Sequence, residues 1–227
     1  MPVITFANSK GGSGKTTSTL ILAGELSQKH ETIIIDADPR RPITKWAKNA
    51  SGLRNIEVWT SEGENSIQDE IAKAAETVPF VLVDLGGMAS QLAMFAMIES
   101  DLVIVPAREY EQDAEAALDT LQAVKRAGRA TRSTIPAAVL ITQARAAVKS
   151  RTARHVNYEL RSNSDIKVFG PELIERDAFA CVYSTGTTLR DLDRKIVNGV
   201  DKAIKNAEAF SGAVIEELKK TQKGRAA

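Results

Sequence analysis

The sequence predicts an α/β fold in which helices cover both faces of a mostly parallel, twisted sheet. Two observations predict it. Short, continuously apolar segments alternate with longer segments of helical periodicity, and a glycine-rich turn joins the first apolar segment to the first helical one. With 227 residues, of which 43% are hydrophobic and 26% charged, residues 1–227 are expected to form one domain with a full core.

Five segments are predicted as strands because each is continuously apolar, as expected where helices cover both faces of a parallel sheet. They are residues 3–7, 32–35, 80–83, 102–105 and 137–142. Weaker strands are predicted at residues 56–59 and near residues 166–169.

Helical periodicity predicts the segments that join these strands. The predicted helices cover residues 15–29, 113–128, 150–161 and 189–220, the last of them broken near Gly199 or Gly212. Residues 88–97 are predicted to form a buried helix or a groove for a partner, and methionine-rich apolar segments are more often buried. The tail, residues 221–227, is predicted to fray.

Composition excludes several classes of protein. Cys181 is the single cysteine, which rules out a disulfide framework within the chain, a cysteine-rich metal site and a shared iron–sulfur cluster. No apolar run approaches the roughly 18 to 20 residues that span a bilayer, and the N-terminus is typical of a strand rather than a signal peptide. We therefore expect a cytoplasmic protein. In its last helix, Phe210, Val214 and Leu218 are expected to pack in the core rather than to anchor a membrane.

Positive charge is concentrated in the middle of the chain, although the net charge is only +1. Residues 123–161 contain nine basic residues and a single acid, Glu159. The basic residues are Lys125, Arg126, Arg129, Arg132, Arg145, Lys149, Arg151, Arg154 and Arg161. Such asymmetry indicates an anionic partner, and nucleic acid is the obvious candidate.

A predicted strand ending at Ala7, a glycine-rich turn and a helix beginning near Lys15 form the arrangement that binds nucleotide phosphates. Glycines allow successive backbone N–H groups to converge on phosphate oxygens. Lys15 is expected to reach the β- and γ-phosphates, and the Thr16 hydroxyl to bind Mg²⁺. The predicted fold is therefore that of a P-loop NTPase. Its expected ATP-binding residues are Lys10, Gly11, Gly12, Ser13, Gly14, Lys15, Thr16 and Thr17.

Carboxylates follow two other predicted strands, at the edge where parallel sheets bind ligands. Asp36 and Asp38 follow the second strand, and Asp84 closes the apolar run at residues 81–83. An apolar run that ends on an acid has the Walker B form, so Asp84 is expected to hold Mg²⁺ through water. Asp36 is expected to support the metal site without touching the ion. The alternative is that Asp36 and Asp38 are solvated acids of a turn.

The glycine-rich turn departs from the usual P-loop, because Ser9 stands where the first glycine belongs and Lys10 opens the loop. The segment K-G-G-S-G-K-T-T resembles the deviant Walker A motif of the ParA/MinD family of ATPases. The resemblance implies that Lys10 reaches across a homodimer interface to the partner's nucleotide, coupling ATP binding to dimerisation. It also implies that Asp38, within D-A-D-P, orients the attacking water. The expected catalytic residues are thus Lys10, Lys15 and Asp38.

Further segments extend the resemblance to about Leu192. Residues 100–106, S-D-L-V-I-V-P, and residues 175–180, E-R-D-A-F-A, are similar to segments of the family. No helix-turn-helix domain is expected before a loop that begins ten residues from the start. The chain is thus similar to small ParA-type ATPases that partition plasmids with a centromere-binding, ParB-like protein. It is also similar to relaxosome-associated relatives that assist T-DNA transfer, and positioning of a protein cargo is a further alternative.

The resemblance also implies that the ATP-bound dimer binds DNA non-specifically and so associates with the nucleoid. Such binding rests on contacts of lysine and arginine to phosphates. The candidate residues are Lys149, Arg151, Arg154, Arg161 and Arg176. The alternatives are a solvated helix face and, for Arg176, a salt bridge to Asp177 or Glu172.

Overall fold

The computed structural model describes residues 1–50, 52–87 and 90–225, with side chains through Thr221, and contains a sheet of six parallel strands. The strands are β1 (Val3–Phe6), β2 (Thr32–Ala37), β3 (Ile56–Thr60), β4 (Phe80–Leu85), β5 (Leu102–Ala107) and β6 (Ala137–Ile141). Their order across the sheet is β3-β2-β4-β1-β5-β6. The predicted α/β class is confirmed, and the bounds of these strands lie within two residues of the predicted ones.

Helices connect the strands and cover the sheet. They are α1 (Lys15–Leu26), α2 (Pro42–Asn49), α3 (Ile67–Thr77), α4 (Gln91–Ile98), α5 (Glu111–Ala130), α6 (Arg151–Ser162), α7 (Asp177–Thr185) and α8 (Val200–Arg225). Helix α4 confirms the helix predicted within residues 88–97, although Met88 and Ala89 lie outside the described residues. No helix in the described part of the chain is long and apolar enough to cross a membrane.

Side chains alternate along each strand and enter two separate cores. On β1, Ile4 and Phe6 join a core with residues of α1, α7 and α8. Val3 and Ala7 point the opposite way and join residues of α3, α4 and α5. Because both faces of the sheet are buried, the strands contain apolar residues at successive positions rather than at every second one.

The last helix packs in the first of these cores. Phe210 and Val214 are fully buried and Leu218 is 4% exposed, which confirms the prediction that this apolar stripe is part of the core. The helical pattern is broken before α8, where Gly199 has a φ of 74°, whereas Gly212 lies within the helix. Helix α8 extends to Arg225 in the described part of the chain, and the fraying expected for residues 221–227 stays a prediction.

The strand predicted near residues 166–169 is wrong. Val168 forms only an isolated parallel bridge with Val139 on the edge strand β6. The Val139 N–H donates to the Lys167 carbonyl at 2.8 Å, and Val139 accepts from the Phe169 N–H at 2.9 Å. Residues 166–169 therefore form a single bridge with the sheet edge and do not extend the sheet.

The register of the sheet brings the candidate site together. Asp84 on β4 lies opposite Phe6 on β1 and opposite Asp36 on β2. The glycine-rich loop begins at Lys10, four residues after Phe6. Since all carboxyl ends of a parallel sheet lie at one edge, loop and carboxylates become neighbours although the chain separates them by tens of residues.

Candidate nucleotide site

The loop between β1 and α1 has the backbone shape that a phosphate site requires. Gly12 and Gly14 have positive φ angles of 74° and 97°, and Gly14 immediately precedes α1. A Cβ atom on Gly14 would lie 3.3 Å from the Thr142 side chain, whose hydroxyl donates to the Ser13 carbonyl at 2.7 Å. The end of β6 thus supports the loop, and the N–H groups at the start of α1 remain available to phosphate oxygens.

Lys15 is positioned inside this loop. Its ammonium donates to the carbonyls of Asn8 at 3.2 Å and Lys10 at 3.3 Å. Burial lowers the pKa of the Lys15 ammonium, and the negative charge of Asp84 partly opposes that shift. Within the described residues, the hydrogen bonds of this buried ammonium go to carbonyl oxygens. Such an ammonium gains strongly from an anionic ligand, so the loop fits a phosphate group.

Asp84 is fully buried at the end of β4 and contacts two hydroxyl groups of α1. Thr16 donates to it at 2.8 Å and Thr19 at 3.4 Å. Burial raises the pKa of the Asp84 carboxyl from 3.8 to about 7; the Thr16 hydrogen bond opposes this rise and the charge of Asp36 adds to it. The Thr16 hydroxyl and the carboxylate are hard oxygen donors beside the phosphate loop, which is the donor set that Mg²⁺ uses with nucleotides.

Asp36 organises the segment that carries Asp38. Its carboxylate accepts from the Thr44 N–H at 2.7 Å and the Thr44 hydroxyl at 2.8 Å. It therefore satisfies a free N–H in the first turn of α2. Its support of a metal site stays a prediction.

Asp38 lies on the wall of the phosphate cavity with Lys15 and Thr16, and one of its oxygens accepts from the Arg40 N–H at 2.8 Å. Gly86 packs against it. A Cβ atom on Gly86 would lie 2.8 Å from Cγ of Asp38 and 2.8 Å from Cδ of Pro39, which no side chain tolerates without movement. Close approach of the two loops therefore requires glycine at position 86.

A second cavity continues from the phosphate cavity and was not predicted from the sequence. The phosphate cavity has a volume of about 280 Å³ and the second about 460 Å³, and Gly14, Thr17 and Gln143 line both. Apolar side chains form much of the second cavity: Ile21, Leu173, Phe179 and Ala180. The positions could have been expected from the rule that ligands bind at the carboxyl edge of the strands, since Gln143 follows β6.

Two buried polar groups in this second cavity lack partners among the described residues. They are Oγ of Ser18, a residue only 1% exposed, and Nε of Arg176. Buried polar atoms without partners are rare in proteins and mark places where a ligand can complete the hydrogen bonding. A polar end for phosphates and an apolar end with unpaired donors together suit a nucleoside triphosphate.

Lys10 does not point into the phosphate cavity of its own chain. Its ammonium donates to Oδ2 of Asp113, on the first turn of α5, at 2.7 Å, and lies 3.5 Å from Oε1 of Gln112. Its predicted contact with a partner's nucleotide stays a prediction.

The candidate DNA residues separate into groups. Lys149 donates to Glu109 and to Glu172 at 2.6 Å each, and Arg161 lies 3.4 Å from Glu172. Arg151 and Arg154 are exposed on α6. Arg176 belongs to the second cavity. The structure thus brings Lys149 and Arg161, whose side chains are 26% and 33% exposed, into an ion-pair network with acids of the same chain, whereas Arg151 and Arg154 extend from the surface of α6.

Comparisons with known proteins show what this chain is similar to. A protein-family model described as VirC1 protein matches residues 1–219. Protein ParA of Rhizobium radiobacter is 33% identical over 219 residues, covering 96% of this chain and 98% of that protein. Protein virC1 of Rhizobium rhizogenes is 31% identical over 195 residues, 82% of either protein.

A solved ATP complex of a McdA variant from Cyanothece has a TM-score of 0.73 and 17% identity, covering 94% of this chain and 96% of that one. At that identity the likeness shows the fold alone. It confirms the P-loop fold, and together with the relatives it confirms the predicted resemblance to ParA/MinD ATPases.

We predict that Asp84→Asn stabilises the nucleotide-free protein at about pH 8 by roughly 1–3 kcal/mol in free energy of unfolding. The native carboxyl has a pKa of about 7 against 3.8 in the unfolded chain. The native state therefore holds a proton that the unfolded state has lost, and wild-type stability falls as pH rises from about 4 to 7. Urea unfolding across this range should show a weaker pH dependence in the variant, whereas Mg²⁺-dependent ATP binding should be lost. Asp69→Asn, on the surface of α3, is the control and should keep the pH dependence of the wild type. The prediction is contradicted if Asp84→Asn also keeps that dependence.

We predict that Gly86→Ala reduces ATP hydrolysis roughly tenfold or more, because the new methyl group displaces Asp38 from its position. Steady-state phosphate release measures the effect, and nucleotide affinity should change less than turnover. Gly87→Ala is the matched control, since a Cβ atom there meets nothing within 4 Å. Equal turnover in the two variants would show that the contact between Gly86 and Asp38 does not matter.

Proposed function

The chain belongs to the VirC1 protein family and is an ATPase of the ParA/MinD type, and from this premise we propose that it is an ATP-dependent dimerisation switch. In the ATP state the dimer binds DNA non-specifically, and hydrolysis releases it. ATPases of this type take part in partition or positioning. The observation that carries the proposal is Lys10: its backbone belongs to a well-formed phosphate loop, yet its side chain is directed away from that loop's own cavity.

The residues of one subunit divide the chemistry of hydrolysis among them. The loop N–H groups and Lys15 would hold the β- and γ-phosphates. Thr16 would bind Mg²⁺, and Asp84 would hold it through water. Mg²⁺, when bound, neutralises charge on the phosphate oxygens. Asp38, on the wall of the cavity, orients the attacking water. Lys10 of one subunit places its charge against the phosphates of the other, in the role of an arginine finger.

The second cavity holds the nucleoside. Ile21 and Phe179 offer apolar contacts to the base, and Ser18 and Arg176 offer hydrogen bonds to the nucleoside. This assignment accounts for Arg176 without a DNA contact.

DNA contacts come from exposed basic side chains that do not belong to this ion-pair network. They are Arg145, in the loop after β6, and Arg151 and Arg154 at the start of α6. Lys149 and Arg161 hold α6 against Glu109 and Glu172 instead, and so orient this surface. A separate small DNA-binding protein, similar to ParB, would stimulate hydrolysis and mark the DNA that is moved over the nucleoid.

A second candidate is an accessory ATPase at an origin of DNA transfer. The match of the VirC1 family model over residues 1–219 favours it. The two functions differ in specificity, because a transfer accessory protein should prefer one sequence element whereas a partition ATPase should not. Competition between a transfer-origin duplex and random duplex separates them: a preference of about tenfold or more supports transfer, and a ratio near one supports partition.

We predict that DNA binding requires ATP and Mg²⁺, and that two site variants change it in opposite directions. Lys15→Ala should lose the ATP-dependent binding because the phosphates are no longer held. Asp38→Ala should bind and then persist on DNA because hydrolysis is blocked. Fluorescence anisotropy with a random duplex, with ATP, ADP or no nucleotide, measures both.

The control for this experiment is the double variant Arg151→Ala, Arg154→Ala. It should dimerise with ATP like the wild type but bind DNA more weakly, with a salt slope smaller by about two. Equally strong binding without ATP would contradict the switch, and normal hydrolysis by Asp38→Ala would contradict the role of Asp38.

A further inference from the structure

Lys10, Arg108 and Asp113 form a cluster of charged side chains beside the phosphate loop. The arrangement of this cluster determines where the Lys10 ammonium lies. Asp113 is completely buried, yet its carboxylate is ionised between two cations. Burial opposes ionisation, but hydrogen bonds from Arg108 and Lys10 outweigh it and hold the pKa of the Asp113 carboxyl below its ordinary value. The cluster therefore contains one buried negative charge and two positive charges.

The two cations are held very differently. Arg108 grips both oxygens of Asp113, with Nε to Oδ1 at 2.9 Å and Nη2 to Oδ2 at 3.3 Å, and its guanidinium lies 5.4 Å from the centre of the Tyr110 ring. Lys10 makes one short contact with the carboxylate, Nζ to Oδ2 at 2.7 Å, from a flexible side chain that ends in a single ammonium. Arg108 is thus the fixed partner and Lys10 the exchangeable one.

If Lys10 moved away, the buried charge of Asp113 would still have partners. Asp113 would keep the two hydrogen bonds from Arg108, and it lies in the first turn of α5, where the helix dipole stabilises an anion. A buried carboxylate with a single partner would instead hold that partner tightly, because breaking such a pair leaves an uncompensated buried charge. The cluster is therefore built to release Lys10 at modest cost.

Resting on the proposed dimerisation switch, we propose that Asp113 is a positioning residue that holds Lys10 within its own subunit until the nucleotide of a second copy draws it away. Arg108 keeps the buried carboxylate paired once Lys10 has left. A triphosphate offers Lys10 more negative charge than one carboxylate already shared with Arg108, and a diphosphate offers less than a triphosphate because it lacks the γ-phosphate. Competition between Asp113 and the partner's phosphates thus sets the nucleotide requirement of the dimer.

The first experiment asks whether Asp113 holds Lys10 in the nucleotide-free chain. Acetic anhydride is applied briefly to the full-length protein, and mass spectrometry measures acetylation at Lys10. Asp113→Asn should raise the rate several-fold, because the ammonium is no longer shielded by the carboxylate. Glu109→Gln is the matched control: it removes a buried acid of the same segment that pairs with Lys149, and should leave Lys10 labelling unchanged.

The second experiment measures dimerisation by sedimentation at increasing ATP concentration with Mg²⁺. Asp113→Asn should dimerise at an ATP concentration at least about fivefold lower than wild type. Arg108→Gln should act in the opposite direction, because Asp113 then depends on Lys10 alone and retains it. Opposite shifts distinguish positioning from damage to the fold, which would weaken dimerisation in both variants.

The outcomes separate this inference from the function on which it rests. Lys10 labelling that does not rise in Asp113→Asn, or ATP requirements that shift in the same direction in both variants, overturns the positioning role. Wild-type protein that stays monomeric with ATP overturns the proposed function, while the labelling still decides whether Asp113 holds Lys10.

Discussion

Burial of the Asp84 carboxylate at the carboxyl edge of β4 is the constraint on which the site depends. It lies opposite Phe6 and Asp36 in the sheet, so three neighbouring strands must keep their register for the loop, the acid and the Asp38 turn to meet. The carboxyl is costly to ionise there, as its pKa of about 7 shows. The fold accepts this cost at a position where a metal ion with nucleotide would remove it.

Three lysines near the carboxyl edge of the sheet differ in whether their partners are retained or can be exchanged. The Lys15 ammonium donates its hydrogen bonds within the described residues to carbonyl oxygens, which a phosphate can replace. Lys149 is held permanently by Glu109 and Glu172. Lys10 lies between these extremes, since Asp113 holds it but does not depend on it. A lysine that can be exchanged thus differs from one that is structural, because the acid that pairs with it keeps other partners when the lysine leaves.

Most of the fold could be predicted from the sequence, because burial on two faces and a helix period leave strong local patterns. The strands of the sheet lie close to their predicted bounds, and the turn before α1 was recognised from its glycines and lysines. The strand predicted near residues 166–169 was wrong because apolar residues predict burial but not hydrogen bonding to a neighbouring strand. Val168 contacts the sheet through one bridge only. Helices α2 and α3 were not predicted, since short helices carry few periodic positions.

The candidate site was predictable where its residues are adjacent in the chain, and less so where they come from distant segments. The phosphate loop, Asp38 and Asp84 follow strands, and the edge rule places them together. The second cavity combines Ser18, Gln143 and Arg176, which no spacing connects. The charge run in residues 123–161 showed where basic residues occur but not which are neutralised, because Glu109 and Glu172 lie outside that run.

By itself, the sequence determined the α/β class, the phosphate loop and the unusual position of Lys10, because these depend on local patterns of polarity, glycine and charge. Only the tertiary structure decided where the Lys10 ammonium lies, which basic residues remain exposed and what lines the second cavity. The physical reason is that a buried ion pair depends on the distance between two side chains, and Lys10 and Asp113, 2.7 Å apart, are 103 residues apart in the chain.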